Sequence, residues 1–420
     1  MNYLKSEYFR YKQDNSLYCE ETSVKEIIKK TGTPVYVYSK KFFEDRYKEF
    51  TNAFRDIKHR VFYSVKANFN INVIKIFYNL GSGIDVNSEG EFFRASKAGV
   101  NPKNMLMTGV GKTSDEIRLA LEKDMLMIKA ESREEIYLIN EIAGKMRVRA
   151  HVAIRVNPDV NPQTHPYIST GLSQNKFGIS VEEASEIFKD FEKFNHISFT
   201  GIDMHIGSQI TSVEPFAEAV RKLSEFYFKV KSYGVKIKHF DIGGGIGVSY
   251  DGEKSFGLTE YAEAIIPELK KLDCEIFFEP GRFLTANGGI LVTKVLYNKK
   301  NNLKNFIIVD AAMNDLLRPS IYSAYHHIQP VDISTTDKDI IADVVGPVCE
   351  SGDFIAKDRT VTETRAGEYL TVMSAGAYGM VMSSNYNARR RPAEVLVDGN
   401  KFKIIRSRET FDHLLYDEIL

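Results

Sequence analysis

Cysteine, proline and long apolar runs are all scarce in this chain of 420 residues. The three cysteines, Cys19, Cys274 and Cys349, lie far apart, with no CxxC among them. That spacing argues against a disulfide framework or a zinc ribbon and for a reducing compartment, so a cytoplasmic protein is expected. Glycine (28) and proline (12) are too few for a low-complexity chain. No apolar stretch reaches the roughly 18 residues of a membrane span. The opening MNYLKSEYFRYKQ lacks the apolar core of a signal peptide. Net charge is missing too, with 56 Lys plus Arg against 56 Asp plus Glu. A nucleic-acid binder usually carries a positive excess, so neither nucleic acid nor membrane is expected as a partner.

What is present is ordinary for a soluble enzyme, with 43% hydrophobic and 27% charged residues. The length exceeds one typical domain and predicts two. Between residues 60 and 280, eight short apolar or β-branched runs recur: 61–66, 84–87, 105–108, 126–129, 152–156, 200–206, 240–242 and 276–278. Amphipathic helical stretches lie between most of them. Examples are 89–98, 132–143 (opening Ser132-Arg-Glu-Glu135, a capping-box pattern) and 181–194. Alternation of this kind means parallel βαβ units. Eight units match a (β/α)₈ TIM-like barrel, typically about 250 residues; a doubly wound open sheet is the rival.

After residue 283 the pattern becomes strand-rich, at 290–297, 306–309, 341–345, 369–374 and 395–397, with a hairpin-turn signal at Asp398-Gly399. Residues 8–11 and 17–19 flank Asp14-Asn15-Ser16 and read as a hairpin, followed by a short helix from Ser23 to Gly32. The expected organisation is a barrel over 36–282, inserted between two parts, 1–35 and 283–420, of a mostly β domain.

A barrel places its active site at the carboxyl ends of its strands. Those ends hold Lys66, Asp85, Arg155, His205, the run Gly243-Gly244-Gly245, and Glu279. The glycines are either a flexible turn or a nest whose amides approach a phosphate. Lys66, the one basic residue in VFYSVKA, is either a rim lysine or a Schiff-base former. Glu279 follows three apolar residues; it is either in a structural ion pair or the partner of a pyridine nitrogen. His205 either stacks on a flat ring or is structural. Together, a phosphate cradle, a strand-end lysine and a carboxylate suggest pyridoxal 5′-phosphate.

Longer motifs sharpen this. YSVKAN, GIDVNSEGE, THPYISTGLSQNKFGI, HIGSQI, DIGGGIG, EPGR, DLLRPSIYSAYH, GPVCESGD and GAYG occur in this order from residue 63 onward. In these the chain resembles the diaminopimelate decarboxylases, which are barrel-type (fold type III, alanine-racemase-like) pyridoxal-phosphate enzymes related to ornithine and arginine decarboxylases. The resemblance implies a homodimer with sites shared across the interface. It implies that Lys66 carries the cofactor, that His205 stacks on its ring, and that Ser208, Gly243, Gly244 and Gly245 bind its phosphate. Glu279 then meets the ring nitrogen, with Gly281, Arg282 and Tyr378 as further cofactor contacts. Arg282, Arg318, Tyr322 and Tyr378 are implied as substrate binders, and Glu350 as the holder of the distal ammonium. Cys349 is implied as the general acid, reaching in with Glu350 from the partner subunit. Two departures occur: Ser88-Glu89-Gly90-Glu91 replaces the frequent Ser-Gly-Gly-Glu, and Ser64 replaces the usual alanine.

The implied reaction is decarboxylation of meso-diaminopimelate to L-lysine, the last step of lysine biosynthesis. Paired arginines favour a substrate with a remote carboxylate, which the guanidinium fork binds bidentately. Decarboxylation of ornithine, arginine or carboxynorspermidine, racemisation of an amino acid, and a regulatory role without catalysis stand as alternatives.

Overall fold

The computed structural model describes residues 3–4, 6–161, 175–252, 255–334 and 338–419. Most of the THPYISTGLSQNKFGI motif, residues 164–174, therefore lies outside the described residues. Two compact units form. One comprises Arg46–Val248 and Ser255–Phe283, the other Met1–Asp45, Ser249–Lys254 and Leu284–Leu420.

The first unit is a closed parallel barrel. Its strands are β1 (His59–Ser64), β2 (Gly83–Val86), β3 (Met105–Met107), β4 (Met127–Ala130), β5 (Ala150–Asn157), β6 (Ile197–Asp203), β7 (His239–Asp241) and β8 (Glu275–Phe278). Each follows the previous one through a helix: α1 (Ile71–Asn79), α2 (Glu89–Lys97), α3 (Ser114–Glu122), α4 (Arg133–Met146), α5 (Val181–Lys189), α6 (Glu214–Ser232) and α7 (Leu258–Leu269). Two pairings exclude the open sheet. Strand β8 returns to β1 (Ile276 opposite His59), and β4 pairs β5 (Ile128 opposite Val152). The eight expected runs coincide with the eight strands because strands covered on both faces read as near-continuous apolar runs.

Helix starts follow the local chemistry. Ser88, Ser132 and Ser180 cap α2, α4 and α5 by accepting from the third backbone N–H inside each helix. The box expected at Ser132 is only half made. Glu135 turns its carboxylate to the Glu131 amide and to Lys112 instead of reaching back to its own cap.

Inside the barrel, alternation decides everything. Phe62, Leu106, Met127, Ala153 and Phe277 form an apolar layer. Burying each of the larger ones contributes about 1.5–3 kcal/mol. Two residues further along the same strands, on the same inner face, come Ser64, Thr108, Lys129, Arg155 and Glu279, all buried. The interior thus switches from apolar to polar within one layer, toward the carboxyl ends.

In the second unit a long strand, Gly289–Lys300, pairs Val35–Ser39, Asn305–Val309 and Tyr369–Val372. Val35–Ser39 also pairs Ala393–Asp398, so it sits between two strands from the far end of the chain. This moves the boundary from the expected residue 36 to Asp45, because both hydrogen-bonding edges of that strand are engaged in the β unit. The segment 249–252 also belongs to this unit. The amino-terminal strands Phe9–Tyr11 and Leu17–Cys19 form their own three-stranded sheet with Thr22–Ser23. They join the unit through a shared core in which Phe9, Leu17, Val24 and Ile27 pack with Val37, Ile290 and Val395. The hairpin turn lies one residue beyond the expected pair: Asp398 opposes Lys401, with Gly399 at φ +63°. Among the described residues no helix is long and apolar enough to cross a membrane.

Candidate active site

The polar layer is the floor of the candidate site. Lys129 is fully buried, and its Nζ donates to Asp203 Oδ1 (2.7 Å), Asp241 Oδ2 (2.6 Å) and Glu279 Oε1. These three acids converge closely enough to ligate a cation; the lysine ammonium takes that place. Asp85 completes the group. Its Oδ2 accepts from Ser64 Oγ at 2.7 Å, while its buried Oδ1 has no partner among the described residues. Burial raises the carboxyl of Asp241 to about 6, against the pull of Lys129. Burial also pushes Glu279 well above the carboxylate range; Asp241, Asp85 and Asp203 add to the rise, and Lys129 opposes it.

Above this floor the expected motifs meet within the barrel unit. Lys66 lies in the turn Val65–Ala67, directly after β1 rather than at its last residue. Gly281 packs against that turn: a Cβ there would stand 3.0 Å from Ala67 Cβ and 3.1 Å from Ser64 Cβ. The Glu279 amide donates to the Gly243 carbonyl at 2.7 Å, joining the EPGR loop to the glycine run. A Cβ at Gly244 would sit 2.3 Å from the Glu279 carbonyl oxygen, and one at Gly245 (φ +104°) 2.4 Å from that of Gly207. Only glycine lets these three loops close up.

His205 accepts from the Gly244 N–H through Nδ1 at 3.3 Å. Burial, then Lys66, Arg155 and Lys129, hold its imidazole well below the usual range, so it is neutral with its proton on Nε2. Arg155 fixes the same loop by donating to the His205 carbonyl (3.3 Å) and to Glu131 (2.9 Å). Arg282 donates to Ser208 Oγ from Nη2 at 3.1 Å and from Nε at 3.4 Å. It is therefore tied to the HIGS loop.

The remaining expected residues belong to the β unit. Arg318 opens the helix Arg318–Tyr322 and is buried. Its Nη1 donates to His326 Nε2 at 2.8 Å, since His326 Nδ1 faces the Met373 carbonyl at 2.8 Å and must carry the imidazole proton. Tyr250, from the segment 249–252, lies under the guanidinium at 4.6 Å from ring centroid to carbon. Ser320 of that helix donates to the Gly352 carbonyl (2.7 Å), tying the loop that carries Cys349 and Glu350 to the helix. Asp353 fastens the loop further by accepting from the Met313 and Val348 amides, both at 2.7 Å. Cys349 and Glu350 are exposed. Tyr386 hydrogen-bonds Glu350, which raises its phenol. Tyr378 is half-buried at φ +55°, in the GAYG turn.

Residues 40–286 match the family model described as the pyridoxal binding domain of pyridoxal-dependent decarboxylases. The diaminopimelate decarboxylase of Aquifex aeolicus is 46% identical, covering 97% of this chain and 96% of the relative. The chain belongs to the diaminopimelate decarboxylase family. The Haemophilus influenzae member is 45% identical over 97% of this chain and 98% of its own. A solved structure of a family member, the Helicobacter pylori enzyme complexed with L-lysine, superimposes with a TM-score of 0.90. It is 40% identical and covers 93% of this chain and 98% of that one.

The cofactor of this family, pyridoxal 5′-phosphate, fits the residues present. The Gly243–Gly245 loop leaves backbone amides at the carboxyl end of β7 that could meet a phosphate: the Gly245 N–H donates to no described residue. Glu279 has one oxygen, Oε1, on Lys129. Membership in the diaminopimelate decarboxylase family thus agrees with the chemistry of the floor as well as with the motifs. Residues not anticipated as site residues include Lys129, Asp203 and Asp241 in the floor, and His326 and Tyr250 against Arg318 in the β unit. Lys129 carried the same signal as Lys66, a lone lysine closing an apolar run.

Proposed function

We propose that this protein decarboxylates meso-2,6-diaminopimelate at its α-carbon, releasing carbon dioxide and L-lysine in the cytoplasm. The observation that carries this is the floor of the barrel: Glu279, held by Lys129 through Oε1, lies against the Gly243–Gly245 loop and at the carboxyl ends of the strands with Lys66. The match to diaminopimelate decarboxylases over 97% of the chain supplies the substrate.

Lys66 would hold the cofactor covalently through its amine. Gly243, Gly244, Gly245 and Ser208 would bind its phosphate, with Gly281 and Tyr378 lining the same site. Glu279 would hold the proton on the ring nitrogen, and neutral His205 would lie against the ring. Bound pyridoxal phosphate supplies the sink for the electron pair left when carbon dioxide departs. Arg318, kept in place by His326 and Tyr250, would bind the remote carboxylate with Tyr322, while Glu350 would hold the distal ammonium. Arg282 would bridge the phosphate loop and a substrate carboxylate. Cys349 would return a proton to the α-carbon.

Incubation with meso-diaminopimelate, ornithine and arginine separately, reading carbon dioxide and the amine product, tests the assignment. Turnover of the first alone, giving lysine, is expected. Faster turnover of ornithine or arginine would overturn it.

The functional unit is proposed to be a two-fold dimer in which Cys349 and Glu350 serve the partner's barrel. This is supported by their exposure on a surface of the β unit that also leaves Ile321 and Tyr386 exposed. Inactive Lys66→Ala and Cys349→Ala proteins, once mixed and exchanged, should regain up to about a quarter of wild-type activity. Half the dimers are then mixed, each with one intact site of two. Confirmed subunit exchange with activity still at the parental level would show that Cys349 serves its own chain or none.

A further inference from the structure

Four carboxyl groups, those of Asp85, Asp203, Asp241 and Glu279, crowd the barrel floor, and Lys129 is the ammonium among them. All five side chains are at least nine-tenths buried. Arg155, the other inward cation of this layer, is engaged elsewhere, with Glu131 and the His205 carbonyl. His205, also above the floor, is neutral. Asp241 and Glu279 therefore stand among like charges in a low-dielectric interior, which favours their neutral forms.

Asp203 and Asp241 each give Lys129 an oxygen, and Asp241 also accepts the Gly243 amide at 2.8 Å; Asp85 takes the Ser64 hydroxyl. Glu279 differs, because a neutral carboxyl cannot hold a proton on a neighbouring ring nitrogen. Among the forces acting on it, burial, Asp241, Asp85 and Asp203 all favour the neutral form, and Lys129 alone favours the charged one.

We infer that Lys129 is a positioning residue for the decarboxylation: by holding Glu279 Oε1 it biases that carboxyl toward its ionised form, against burial and the neighbouring acids, and aims Oε2 at the cofactor's ring nitrogen. This rests on the function proposed above and assigns part of it to a residue outside the recognised motifs. The role proposed for Lys129 runs through Glu279, to which its fully buried Nζ donates. It is placed to do so by strand period alone: Met127, two residues earlier, belongs to the apolar layer, and the next inward position of β4 is the lysine.

The consequence is a non-additive pair. Holoprotein of wild type, Lys129→Met, Glu279→Gln and the double variant would be reconstituted with pyridoxal phosphate. Two quantities would be read: kcat with meso-diaminopimelate, and visible circular dichroism of the bound cofactor without substrate. Lys129→Met should lose about a hundredfold in kcat, the scale of a displaced catalytic group, with KM changed less than about threefold. The double variant should match Glu279→Gln within about threefold, because no carboxylate remains at position 279 for the lysine to bias toward its charged form. The cofactor band of Lys129→Met should resemble that of Glu279→Gln.

A double variant at least about tenfold worse than Glu279→Gln would overturn the inference, since it would assign Lys129 an independent role. So would a wild-type cofactor band in Lys129→Met. Removing a buried ammonium from among acids can prevent folding. In that case Lys129→Gln, which keeps a donor, takes its place, and the comparison of the double variant with Glu279→Gln decides alone. The dichroism needs no substrate. A wild type that shows the band but does not act on meso-diaminopimelate would count against the proposed reaction and leave the role of Lys129 to be judged on the band.

Discussion

Replacing Lys66 with alanine should abolish the visible absorption of bound cofactor and lower carbon dioxide release by about a thousandfold or more, the upper part of the range for a group that also moves protons. Lys66 and Lys129 both lie near the carboxyl ends of barrel strands, and the structure tells them apart. Lys129 donates to three carboxylates, which raise its amine well above the usual range against the effect of burial, so it stays an ammonium and is no nucleophile. Lys66 lies in the turn directly after β1, close enough to His205 to disfavour its charge. Borohydride reduction followed by peptide mapping should therefore tag Lys66. A tag on Lys129, or an undiminished band in Lys66→Ala, would reverse the assignment.

Glu279→Gln should give folded protein with near-normal cofactor content and a turnover lower by two to three orders of magnitude. The amide keeps the shape and can still accept from Lys129, but it cannot carry the charge that holds a ring proton. A barrier higher by about 3–4 kcal/mol corresponds to that loss, at about 1.36 kcal/mol per tenfold. Cofactor content would be measured after denaturation and kcat at saturating substrate; unchanged turnover would refute the role.

The barrel was legible because its signals are local. Each parallel strand is a short apolar run, and each strand end carries its polar residue next in sequence, as Glu279 follows Phe278. Val35–Ser39 has the same local look, VYVYS, yet belongs to the other unit. Only its pairing with residues 289–292 and 393–397 decides that, and no neighbouring residue records it. Phe354–Thr362 escaped notice because Lys357, Asp358 and Arg359 interrupt it; this edge strand exposes its middle to solvent. Within the site, residues set by motif were visible and residues set by convergence were not. Lys129, Asp203 and Asp241 come from three strands and matter only as a cluster. His326 is recognisable as a support only once its proton is assigned by the Met373 carbonyl.

The position of Val35–Ser39 also constrains how the molecule is made. This strand leaves the ribosome early, but one of its two neighbours in the sheet follows roughly 350 residues later. At about 5–20 residues per second, the β unit must wait some tens of seconds for its last strands, while every strand of the barrel has already been synthesised. During synthesis the chain therefore carries a folded or folding insert between an unpaired apolar strand and partners that do not yet exist. An exposed edge of that kind is where nascent chains aggregate or recruit chaperones.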